Sequence, residues 1–493
     1  VNAAPEILTP RYLRKAAALA EEFRPWGQKV YLSVRFSAPV DLGGTDTADP
    51  LNPKVRAWWK AKTKEIYQLS PDFGGFLVKA NSEGQPGPQN YGRSHADGAN
   101  MLAEALAPHG GVVMWRAFVY DQDNPDDRVK QAYTEFKPLD GQFADNVLVQ
   151  VKNGPLDFQP REPFHPLFGA MPRTPLMMEF QITQEYLGFS THLAYLGELW
   201  EEVLTTDTMA GGAGSTVASV IDGSVHGHSK TGIAGVANTG TDRNWSGSIF
   251  GQANWYAFGR LAWNPRQTAS EIAAEWLKMT FSRNPVFVER ATAIMMRSRQ
   301  AAVDYMTPLG LAHLMGTGHH FGPAPWVDDL GRADWNPFYY HRADSGGIGV
   351  DRTASGSNAV SQYAPAIENL FSSRETVPDD YLLWFHRVGW DERLENCNTL
   401  WEELVARYDQ GVATVRWMQQ EWNELKPFVD AERFDAISRK LAVQLKEATW
   451  WRNACIAYFT ERSGRKLPAG VKPPPETLDH YRSLEFPYAP GDG

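Results

Sequence analysis

Cysteine is nearly absent. The 493 residues contain only Cys397 and Cys455, far apart in the chain. That excludes a disulfide framework and leaves a structural zinc site or a cysteine nucleophile without support. An excess of positive charge is missing as well. The formal net charge is −10, which argues against nucleic acid or an anionic membrane surface as a general partner. No apolar run approaches the roughly 18 residues of a membrane-spanning helix. No Gly-x-Ser-x-Gly elbow is present, which removes the commonest serine hydrolase signal. Gly211-Gly212-Ala213-Gly214-Ser215 is glycine-rich but lacks the lysine of a phosphate loop, and reads as a flexible loop. His226, His228, His319 and His320 have no carboxylate or Cys at a recognised ligand spacing, so no metal site is expected. Asn244-Trp245-Ser246 fits a glycosylation sequon and reads as a chance match. Val1–Pro5 is neither an initiator Met nor a signal peptide, so the chain is expected to begin inside a longer protein.

What is present suits a globular chain with 43% hydrophobic and 22% charged residues, long enough for two or more domains. Its 18 Trp and 18 Tyr serve equally to fill large cores or to hold the apolar faces of sugars. Six short apolar runs read as strands: Lys29–Phe36, Gly74–Ala80, Gly111–Val119, Asn146–Lys152, Pro175–Ile182 and Gly232–Ala237. Val1–Asn2 is a candidate tail of a seventh. Most are too apolar to have one wet face, as expected of a parallel sheet covered on both sides. Helical stretches (Lys54–Leu69, His95–Leu106, Asp127–Phe136 and Leu193–Leu204) fall between most of them, which predicts βαβ units in an α/β barrel or a doubly wound sheet. A closed eight-stranded barrel needs one or two more strands before residue 1.

The second half is different. Pro265–Met279, Val286–Asp304, Leu394–Tyr408, Val412–Leu425 and Phe434–Thr460 carry helical spacing with no strands between them. The expected organisation is a barrel over residues 1–252 and a mainly α-helical domain over 253–493, with an irregular tail after Ser463.

In an α/β barrel the chemistry sits just past the C-terminal ends of the strands. Four consecutive strands deliver three cations there (Lys79, Arg116, Lys152) and three carboxylates (Glu83, Asp157, Glu185). Carboxylates in this arrangement fit glycoside hydrolysis, which needs one protonated acid and a second carboxylate as nucleophile or base. The cations exceed what ionised carboxylates require. Their excess in an acidic protein points to an anionic substrate such as a uronic acid. Structural ion pairs inside a barrel are the plainer explanation for any one of them.

KVYLSVRFSAP, DFGGFLVKANSEGQPGP, VMWRAFVY, VKNGPLDFQPREP and MMEFQITQEYLG, with the stretch from HGHSKTGIAGVANTG to FGRLAWNP, resemble glycoside hydrolase family 67, the α-glucuronidases. The resemblance implies a (β/α)8 barrel followed by a helical domain that often forms a dimer interface. It implies an inverting hydrolysis of the α-1,2 bond between glucuronic or 4-O-methylglucuronic acid and xylose in oligosaccharides from glucuronoxylan, with no metal or organic cofactor. By motif, Glu83 is the general acid, Asp157 and Glu185 activate water, and Lys79, Arg116 and Lys152 hold the uronate. Trp335 corresponds to an aromatic packing against xylose. The family's β-rich N-terminal domain, its first barrel strands and a pocket Trp have no counterpart in this sequence. Relatives acting on short oligosaccharides place the protein in the cytoplasm or periplasm. Two further readings stay open: a retaining glycosidase on another acidic sugar, and a non-catalytic uronate-binding fragment. As a general acid, Glu83 is expected to be buried.

Overall fold

Strands with apolar residues on both faces need cover on both faces, and the chain provides it. A computed structural model describes residues 3–119, 126–241, 243–316, 318 and 320–484. Six strands form one sheet in chain order: β1 (Tyr31–Ser33), β2 (Gly75–Val78), β3 (Val112–Arg116), β4 (Val147–Lys152), β5 (Leu176–Gln181) and β6 (Ile233–Val236). β1 to β5 pair in parallel, and the sheet curls into a half-barrel. Every residue of β4 is buried, and β5 is buried up to its last residue. The outermost strands β1 and β6 are less covered. All six runs expected as strands are strands, trimmed at their ends. Val1–Asn2, the candidate seventh, lies outside the described residues.

By contact density the chain divides into two units: Val1–Pro155, His165–Glu179 and Asp207–Ala234 form one; Leu156–Phe164, Phe180–Thr206 and Gly235–Gly493 form the other. In the first unit, helices α1 (Pro53–Leu69) and α2 (His95–Leu106) alternate with the strands. Each starts where its sequence dictates. Asn52 accepts a hydrogen bond from the Lys54 N–H ahead of a proline start, and Ser94 forms a reciprocal capping box with Asp97. The stretch expected as one helix over Asp127–Phe136 is a 3-10 turn (Arg128–Lys130) followed by a short helix, Gln131–Phe136. A further helix, Pro10–Phe23, precedes β1 and was not anticipated.

In the second unit, three long helices pack together: α3 (Pro285–Met306), α4 (Leu400–Glu424) and α5 (Ala431–Ser463). Leu394–Tyr408 and Val412–Leu425, expected as two helices, are one. The start is set by the Thr399–Glu402 capping box, and the helix runs through Gly411 without a break. A β-carbon at Gly411 would lie 2.6 Å from the Tyr305 backbone nitrogen. The glycine is therefore where α4 approaches α3 closely, not a helix end. Its intrinsic cost, about 1 kcal/mol in a helix interior, is offset by that contact. Among the described residues no strand follows β6, and no helix is long and apolar enough to cross a membrane.

Candidate active site

The cations come first, because the sheet register fixes them. Arg116 ends β3 opposite Gln150, and Lys152 ends β4 opposite Glu179. Lys79 directly follows β2. All three are buried and surround one ring. The Lys152 Nζ lies 3.4 Å from the Phe118 centroid, the Lys79 Nζ 5.3 Å, and the Arg116 and Arg128 guanidiniums 5.3 and 5.7 Å. An aromatic face with its negative quadrupole partly offsets the repulsion of four cations around it.

Burying such charge is tolerable only beside a countercharge. Glu179, fully buried on β5, supplies part of it. Arg116 donates through Nε to Glu179 Oε2 at 2.7 Å, its Nη2 adds a second bond to the other oxygen, and Gln150 donates to the same carboxylate. Burial alone would raise the Glu179 pKa. Arg116 and then Lys152 outweigh it and hold the carboxyl below its ordinary range. His165 is buried nearby. Burial first, then Arg128 and Lys152, push its pKa down to about 3, so its ring is neutral at neutral pH.

Glu83 lies in the loop after β2 and forms an ion pair with Lys79. Its side chain is 45% exposed, so the expected burial of this carboxyl is not met. Asn81 (φ 51°) and Glu83 (φ 48°) are both left-handed, a conformation costing non-glycine residues of order 1–3 kcal/mol each and held only by surrounding structure. Asn81 supplies part of that hold, accepting from the Gln89 N–H at 3.3 Å. Gly87 packs so closely on Asn81 that a β-carbon there would clash with it.

The remaining carboxylates lie in the second unit. After β4 the loop Leu156–Gln159 is tied down by the buried Glu162, which accepts from the backbone N–H groups of Leu156 (2.6 Å), Asp157 (3.1 Å) and Gln159 (2.7 Å). Asp157 accepts from the Tyr186 hydroxyl at 3.1 Å. Glu185 accepts from Gln181 at 2.8 Å through one oxygen, and its other oxygen is 2.8 Å from the His320 Nδ1. Tyr186 and His320 stack, with centroids 4.9 Å apart. Two adjacent rings therefore each hold one carboxylate. Trp335 ends the turn Ala333–Trp335, 46% exposed, with the Arg332 guanidinium 5.2 Å from its ring.

Sequence reasoning singles out none of Glu179, Phe118, Arg128, His165 and Tyr186, and His320 enters it only as a candidate metal ligand. Glu179 had a signal, as the one charge in the run LMMEFQ. Among the described residues no group of three or more His, Cys, Asp or Glu gathers as a metal site would require. His319 lies outside the described residues.

Residues 1–245 match the glycosyl hydrolase family 67 middle domain, and residues 246–472 match the glycosyl hydrolase family 67 C-terminus. The chain belongs to glycosyl hydrolase family 67. It is 43% identical over 470 residues to an α-glucuronidase of Hypocrea jecorina, covering 94% of this chain and 55% of that protein. It is 41% identical over 483 residues to α-glucuronidase A of Emericella nidulans, covering 95% and 56%. A third relative, α-glucuronidase A of Aspergillus tubingensis, is 39% identical over 478 residues. The chain spans little more than half the length of these curated relatives.

Proposed function

We propose that this chain carries the catalytic region of an inverting α-glucuronidase. Its substrate is a short xylooligosaccharide bearing glucuronic or 4-O-methylglucuronic acid, α-1,2-linked to the terminal xylose. The half-barrel then belongs to a (β/α)8 domain over residues 1–252, followed by the helical domain. The observation that carries this reading is the cluster of buried cations around Phe118 in an acidic protein. Charge buried at that cost is retained for an anion, and a uronate carboxylate is the anion a glycosidase meets. The α-glucuronidase names of the relatives support the same substrate class.

In this mechanism Lys79, Arg116 and Lys152 fix the uronate. Arg116 is itself aligned by Glu179. Glu83 protonates the glycosidic oxygen as the bond breaks, and Lys79 must release it to do so. Asp157 or Glu185 removes a proton from a water on the opposite ring face as that water's oxygen bonds to the anomeric carbon and the xylose leaves as its alcohol. Inversion requires acid and base about 6.5–9.5 Å apart, so that this water fits between them. Trp335 packs against the xylose. The test compares aldotetraouronic acid with its carboxyl-reduced counterpart, in which the uronate is a neutral glucosyl unit. The reading predicts a loss of at least about 100-fold in kcat/KM, the scale of one or two charge-assisted hydrogen bonds. Equal rates on the two would overturn it.

A further inference from the structure

A recess lies in the unit that holds Glu185. It encloses about 370 Å³, and Thr183 and Gln184, the two residues before Glu185, form part of its wall. Sites that take small ligands have roughly this size or more. Its composition is the reverse of the Phe118 cluster, because none of its lining side chains carries a charge. Trp245 stands at the recess, 45% exposed, braced edge-on by Trp255 with centroids 4.9 Å apart at 81°. An indole so exposed yet so firmly braced is a platform more than a core residue.

The polar groups around it are amides and hydroxyls from Asn238, Thr239, Asn244 and Ser246. Several are fixed in place. The Asn238 backbone N–H donates to the Thr183 hydroxyl at 2.8 Å, joining the two walls. The Asn244 Oδ1 accepts from Ser246 at 2.8 Å and from Gln252 at 3.3 Å. With that oxygen engaged, the amide N–H groups of Asn244 are the part offered to a ligand. A flat indole beside neutral donors and acceptors matches an uncharged pyranose, which presents C–H groups on its face and hydroxyls around its edge. Among the described residues that line the recess, none offers a cation to a uronate.

We propose that this recess is a binding subsite for an uncharged pyranose unit, with Trp245 as its platform. On the reading of function above, on which this identification rests, the unit is a xylose of the oligosaccharide from which the uronic acid is released.

The test is a calorimetric titration of the full chain with xylotriose and, separately, with glucuronic acid. Trp245→Ala should weaken xylotriose binding at least tenfold and leave glucuronic acid affinity unchanged. Trp245→Phe, which keeps a flat ring, should retain most of it, and Asn238→Ala should lose a few-fold. Because Trp245 is half exposed, its melting temperature should hold in both variants. Xylotriose binding that is equal in the wild type and Trp245→Ala overturns the proposal. So does a wild-type Kd for xylotriose weaker than about 10 mM. Failure of the wild type to bind glucuronic acid, with xylotriose binding intact, overturns the α-glucuronidase reading and leaves the subsite standing.

Discussion

The two units hold their functional charge in opposite ways. In the first, the charge is permanent and buried. Lys79, Arg116 and Lys152 surround Phe118, and Arg116 is locked by two bonds to a carboxylate with no exposure of its own. In the second, Glu185 is partly exposed and is held by Gln181 and His320, side chains that are neutral or gain charge only by protonation, and Asp157, also partly exposed, accepts from the Tyr186 hydroxyl. On the proposed function, the difference follows from the tasks. Holding an anion calls for cations that never titrate, set rigidly enough to give their full electrostatic effect. Moving a proton calls for a carboxylate whose partners do not pin it permanently in one ionisation state. Glu83 stands outside this contrast: its backbone is left-handed and its side chain reaches solvent, yet its partner is the buried cation Lys79.

The largest test of this contrast is Glu83→Gln. Loss of a general acid costs on the order of 100- to 10,000-fold in kcat on a natural glycoside. An aryl glucuronide, whose leaving group needs no proton, should lose less than about tenfold. Similar losses on both substrates would remove Glu83 from the acid role. Glu179→Gln comes next. Breaking a buried ion pair should cost about 3–5 kcal/mol in urea unfolding, because Arg116 loses a buried carboxylate partner. A cost below about 1 kcal/mol would mean that the cation cluster does not depend on it.

A third test uses pH. The folded His165 pKa is depressed to about 3, whereas the unfolded chain takes up the proton near pH 6.5. Its contribution is therefore fully present above about pH 6.5 and is lost as pH falls towards 3. Glu179, also depressed, adds a loss in the same direction below its ordinary range. His165→Gln should flatten the stability profile between pH 6.5 and 4 by up to about 3 kcal/mol; an unchanged slope would contradict a buried neutral ring. The smallest effect expected is for Tyr186→Phe. Removing one charge-assisted hydrogen bond to the Asp157 carboxylate should lower kcat roughly tenfold, near 1.5 kcal/mol, with little change in KM. An equal change in KM would assign Tyr186 to substrate binding instead.

The strands were legible because a parallel sheet leaves a plain trace: runs such as VLVQVK and LMMEFQ that are apolar on both faces, spaced by helices. The charged strand ends were legible for the same reason, since Lys79, Arg116 and Lys152 interrupt or end those runs. Contacts between residues distant in sequence were not. Nothing local to Phe118 says that four cations will surround it, and nothing near His320 says that it meets Glu185, 135 positions away. The break expected between Tyr408 and Val412 has a related cause: only the backbone of Tyr305 against Gly411 explains why this glycine is an interior helix residue. Exposure of Glu83 was hidden too, because a loop with two left-handed residues leaves no periodic pattern.

The most direct test follows the uronic acid released from aldotetraouronic acid by proton NMR during the first minutes of reaction. The account predicts that the β-anomer appears first and then mutarotates to the equilibrium mixture. The α-anomer appearing first, or no release from this chain at all, would contradict it.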